Sequence, residues 1–173
     1  LSADAAGHWQ AIWKISEIYL TVITISLSVY YLPKLSSISD QKLLRIEIIK
    51  GYQFLLPIVL VLSIGIFVFR DLIILILFTP DFNPVSELFF YQLLGDVFKI
   101  SSWILSFMLV AKAMTKTFII TEIIFIGLFL LLSMFWVQHA GLIGMTYAYA
   151  LTYGAYLLTM LIIFRKLLLP NQF

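Results

Sequence analysis

Cysteine is absent from the 173 residues. Disulfides, thiolate chemistry and cysteine metal sites are excluded with it. Charge is scarce: Asp, Glu, Lys and Arg make up 12%, against about 25% in a soluble domain. The net charge is only +2, and the basic residues lie between apolar runs instead of in one patch, so no nucleic-acid partner is expected. The two histidines, His8 and His139, have no metal-ligand spacing. A nucleophile elbow, paired histidines and a glycine-rich phosphate loop are all missing. The expectation is therefore a protein that is not an enzyme and carries no resident cofactor.

What is present is apolar. Hydrophobic residues make up 62% of the chain and mean hydropathy is +1.06. Such a composition cannot hide in one water-soluble core and needs lipid as its solvent. About 20 apolar residues cross the hydrocarbon core as a helix, and five runs qualify: about 9–32, 54–78, 88–110, 118–137 and 142–164. The runs lack the period-two alternation of barrel strands. The expected fold is all-α and integral to the membrane.

The connecting segments fit that reading. The stretch SDQKLLRIEIIK, residues 39–50, is too charged to span and is expected to lie at the interface as a short helix. Ser39 is its expected N-cap and Gly51 its C-terminal glycine. The 79–84 segment, rich in Pro and Asn, reads as a loop, and 138–141 as a tight turn. The first residues, LSADAAGHWQ, read as a loop leading into a helix, and the chain is expected to be the C-terminal piece of a longer transporter-like protein. Basic charge sets the orientation. Lys34, Lys42, Arg45, Lys50, Lys112, Lys116, Arg165 and Lys166 fall on one side, and Arg70 alone falls near the other. The basic loops and the C-terminus are expected to be cytoplasmic.

Charged groups at membrane depth cost about 2.5–3.5 kcal/mol each on insertion scales, and they face a bundle interior or a wet cavity. Lys14 and Glu17 share a helical face at i, i+3, and Asp96 and Lys99 repeat the spacing. Glu17 lies roughly 12 Å along its helix from Trp9, and Asp96 roughly 12 Å from Leu88, which puts the two carboxylates at similar depth. The four residues are candidates for a translocation cavity that takes substrate or a coupling ion. Self-neutralising structural ion pairs are the alternative. Glu122 is a secondary candidate, expected to snorkel or to pair with Lys116. Tyr149, Tyr153 and Tyr156 share one face of the last span and are either packing residues or sugar platforms. Gly144, Ala148 and Thr152 form a small-residue stripe suited to a close helix contact. Arg70-Asp71 reads as an interfacial anchor.

Longer strings resemble a known family. WQAIWKISEIYL with LSVYYLPKLSSISD is similar to the eighth helix and following loop of Wzx-type bacterial polysaccharide flippases of the O-antigen and lipid III kind. YQLLGDVFKISSWILSFMLVAKAMTKTFIITEIIF resembles their tenth and eleventh helices, and HAGLIGMTYAYALTYGAYL the start of the twelfth. GDVFK, which holds Asp96 and Lys99, is the most telling string. The resemblance implies a twelve-helix exporter of the multidrug/oligosaccharidyl-lipid/polysaccharide superfamily. This chain would supply most of its C-terminal six-helix lobe, with the N-terminal lobe outside it. It further implies flipping of an undecaprenyl-diphosphate-linked oligosaccharide across the bacterial inner membrane by alternating access, with a proton or sodium as coupling ion. Membrane lipids, a polysaccharide polymerase and a chain-length regulator are the implied partners. Glu17 falls where the lipid III type has an acidic residue, Asp96 and Lys99 match directly, and Lys14 departs from a usual small polar residue. A cation-coupled multidrug exporter, or a membrane-embedded polysaccharide polymerase or ligase, is the rival function. The latter would be expected to carry a large loop with Arg or His.

Overall fold

The computed structural model describes residues 3–169, which form helices joined by short turns. Helix α1 (Ala3–Ser26) passes through a π turn (Leu27–Tyr31) into α2 (Leu32–Ser37). Then come α3 (Gln41–Val68), α4 (Arg70–Leu77), a 3₁₀ segment (Pro80–Leu88), α5 (Phe89–Ala111), α6 (Thr115–Ala140), α7 (Ile143–Ile163) and α8 (Arg165–Leu168). Five of the helical stretches are long and apolar enough to cross a membrane.

Several expectations about the connections need correction. Leu1 and Ser2 lie outside the described residues, and helix begins at Ala3 instead of following a loop. The first span also runs past Pro33. That proline has no N–H to give Val29, and the turn before it is widened so that the Leu32 N–H reaches the Leu27 carbonyl. The separate interfacial helix at 39–50 does not exist. Those residues are the first turns of α3, whose 28 residues span about 42 Å and so exceed a hydrocarbon core of about 30 Å. The polar turns and the apolar run thus belong to one continuous helix. The N-cap is Asp40, not Ser39: its carboxylate accepts from the Lys42 and Leu43 N–H groups at 2.8 and 2.9 Å. Gly51 does not end a helix either. A Cβ there would sit 3.1 Å from the Tyr31 ring, so the glycine lets α3 approach the π turn. The 79–84 loop is mostly taken into the 3₁₀ segment.

Helix α5 is the hub. It packs most extensively on α7, then on α3, and also meets α1, α2 and α6, while α6 leans mainly on α7. Ile100, Ile104, Leu105 and Leu109 of α5 are fully buried in the larger apolar core with Leu27, Leu35, Ile48 and Val59. Two glycines set the closest approaches. A Cβ on Gly144 would lie 2.3 Å from the Trp136 carbonyl oxygen, and one on Gly95 would lie 2.3 Å from Tyr149 Cδ1. Gly144, Ala148 and Thr152 are all buried, so the small-residue stripe is a helix contact. Arg70 starts α4 after a break at Phe69. Its guanidinium donates to the Phe67 carbonyl at 3.0 Å and lies over the Phe67 ring.

Candidate functional site: a polar cleft between α1 and α6

Three adjoining cavities of about 200, 160 and 210 Å³ meet at Trp103. Helices α5 and α7 supply the floor, α1 and α6 the walls. From a polar stripe on α5, Lys99, Trp103 and Ser106 line these cavities, while Asp96 is buried outside their lining. Asp96, Lys99, Trp103 and Ser106 recur at helical spacing, so one face of an otherwise apolar helix carries them all.

Asp96 is fully buried. Its Oδ2 accepts the Tyr19 hydroxyl and its Oδ1 the Tyr149 hydroxyl, each at 2.8 Å. Tyr19 also lies 3.3 Å from Ser63 Oγ. Gln92, one turn away and likewise buried, donates through Nε2 to Ser16 Oγ at 3.1 Å, while its Oε1 has no partner among the described residues. Helices α1 and α7 thus reach the α5 carboxylate directly, and α3 joins through Tyr19. Two charge-assisted hydrogen bonds offset much of the cost of burying it.

Lys99 is half-buried, yet no ion pair within 4 Å joins it to Asp96 among the described residues. Its ammonium instead stands among four rings, 4.9 Å from the Trp103 centroid, 5.4 Å from Tyr153, 5.5 Å from Trp13 and 5.8 Å from Tyr149. Cation–π attraction of about 0.5–2 kcal/mol per ring holds the charge there. It leaves the three N–H donors directed by no protein carboxylate. The i, i+3 spacing brought the two residues to one face, but neighbouring helices claim each of them first. The structural ion pair weighed as an alternative is therefore not formed here.

Lys14 and Glu17 behave differently. They bind each other at 2.6 Å on the exposed side of α1, and Glu17 borders the same cavity as Lys99. Glu122 does not pair with Lys116. Its Oε1 accepts the Tyr156 hydroxyl at 2.7 Å, and Tyr156 is 2.9 Å from Ser106 Oγ. Tyr149, Tyr153 and Tyr156 lie side by side along the floor. The cleft therefore runs from the Asp96 network, past the ringed lysine, to Glu122.

Comparison with known proteins bears on what such a cleft serves. The chain is 34% identical over 155 residues to the lipid III flippases of Escherichia coli (strain K12) and Shigella flexneri. This chain is homologous to part of those flippases. The match takes in 90% of the chain but only 37% of each relative's length. No protein-family model and no solved structure matches it.

Several residues of this flippase homologue's cleft escaped the reading of its sequence. Tyr19, Ser16 and Ser63 reach Asp96 or its partners from sequence distances that carry no local signal. Trp103 is four residues from Lys99 and was open to detection by helical spacing. Trp13 was not, because its helix meets α5 only in the fold. Gly95 lies beside Asp96 and gives Tyr149 its room.

Proposed function

We propose that the chain is the C-terminal transmembrane part of a flippase that moves undecaprenyl-diphosphate-linked oligosaccharide repeats across the bacterial inner membrane. The protein works as a transporter, by alternating access. Homology to lipid III flippases supports the class. The single observation in the geometry that supports it most is Lys99, a cation lining the cleft, held among rings and with no carboxylate within 4 Å among the described residues. In that reading Lys99 attracts the diphosphate, and the aromatic floor takes the adjoining sugar faces. Asp96 and Glu17 carry the coupling ion, a proton or sodium, and Glu122 with Tyr156 borders the far end. Lys14 holds Glu17 until the ion or substrate arrives. The first turns of α3 at 42–50, the α5–α6 connection at 112–116 and the C-terminal end face the cytoplasm, as the distribution of basic charge supports.

Deletion of the full-length protein, in cells with no second flippase, tests the reading. Lipid-linked repeats should accumulate in the cytoplasmic leaflet and surface polysaccharide should disappear. Normal surface polysaccharide in such a deletion contradicts it.

A further inference from the structure

The end of the bundle opposite the 3₁₀ segment holds a second cavity, of about 660 Å³, outside the cleft. It forms where the α2–α3 turn, the α5–α6 turn and the start of α8 meet. Its floor is apolar and buried: Leu44, Met108 and Phe164. Its rim is polar and basic: Ser39, Gln41, Lys112 and Lys166. The rim is also braced. Lys112 Nζ donates to the carbonyls of Leu35 and Ile38, where α2 ends and orphaned carbonyls favour a cation. The α5–α6 turn closes with the Met114 N–H on the Leu109 carbonyl at 2.7 Å, with Ala113 at φ +52°. Arg165 precedes Lys166 in sequence and adds to the positive charge at this rim.

An apolar floor under a cationic rim, at the end of membrane-spanning helices, matches an amphiphile with a negative head and fatty tails. Basic pockets between transmembrane helices take anionic headgroups in this way. We infer that this cavity is a binding site for an anionic phospholipid, with the phosphate at Lys166 and Gln41 and an acyl chain over Met108 and Phe164. Sugar polymers lack the tails for that floor, and zwitterionic lipids lack the net charge for that rim. The site is separate from the cleft and does not depend on what the cleft carries.

Native mass spectrometry of the purified full-length protein tests it, with phosphatidylglycerol and phosphatidylcholine as probes. The wild type should retain phosphatidylglycerol in preference. Lys166→Gln should weaken phosphatidylglycerol retention about fivefold, the effect of one basic charge near a lipid surface, and leave phosphatidylcholine unchanged. Lys42→Gln, which removes the same charge outside the cavity lining, should have little effect. Met114→Trp, at another lining residue, keeps every charge but narrows the cavity, and should weaken phosphatidylglycerol retention. Equal retention of the two lipids overturns the inference. So does an equal loss from Lys166→Gln and Lys42→Gln, which would mark diffuse surface charge instead of a site.

Discussion

Gly95→Ala asks whether the tight α5–α7 contact is what aims Tyr149 at Asp96. The new methyl would fall 2.3 Å from Tyr149 Cδ1, 2.6 Å from Cε1 and 3.3 Å from the Ala150 Cα. The ring must shift by about 1 Å to restore ordinary contact distances. It has little room, since Tyr149 is 2% exposed and is flanked by the rings of Trp13, Phe129 and Tyr153. Overpacking of this kind costs about 1–3 kcal/mol. Displacing the hydroxyl from a buried carboxylate costs about 1.5–3 kcal/mol more. The expected loss is about 2.5–6 kcal/mol, read from reversible unfolding of the purified protein in mixed micelles. Tyr149→Leu in the same background should relieve the clash, so the double variant should be more stable than the two single losses predict by at least about 1 kcal/mol. A Gly95→Ala protein within about 0.5 kcal/mol of wild type, or additivity with Tyr149→Leu, would refute the packing argument.

Other outcomes follow from separate parts of the structure. Gly144→Ala sets a methyl against the Trp136 and Val137 backbone, which cannot rotate away, and should lower stability by about 1–3 kcal/mol in the same unfolding measurement. Ala113→Gly removes a left-handed alanine at φ +52° and should raise stability by about 0.5–1 kcal/mol after the entropic cost of glycine. This chain has no cysteine, so once any cysteine elsewhere in the full-length protein is replaced, single reporters are clean. Cysteine at Ser39 or Thr115 should resist an impermeant thiol reagent in intact cells, cysteine at Asn83 should react, and the reverse pattern would invert the proposed orientation.

Hydropathy made the five membrane helices readable, because lipid demands long apolar runs whatever their neighbours are. It was least informative where a helix leaves the lipid. Residues 41–50 carry the charges of an interfacial segment, yet nothing local distinguishes such a segment from the protruding turns of a long rod. Gly51 compounded the error, since its cause is the Tyr31 ring on another helix. The same limit applies at the cleft. Spacing on α5 correctly placed Asp96 and Lys99 on one face, because helical periodicity is local. Whether they pair depends on Tyr19, Tyr149, Trp13 and Tyr153, which arrive from other helices. For Lys14 and Glu17 no neighbouring helix competes, and the i, i+3 spacing alone yields the ion pair.

The transport role of the ringed lysine is open to one direct measurement. Full-length protein in proteoliposomes is loaded with the lipid-linked oligosaccharide, and flipping is timed for wild type and Lys99→Gln at matched protein levels. Lys99→Gln gives up the cation–π contacts of the ammonium, so its folding is checked first in the unfolding measurement and flipping is compared for folded protein. Loss of a charge-assisted contact worth about 1.5–3 kcal/mol should slow flipping about 10- to 100-fold. Native flipping by a stable Lys99→Gln protein would contradict the proposal that this cleft carries the substrate.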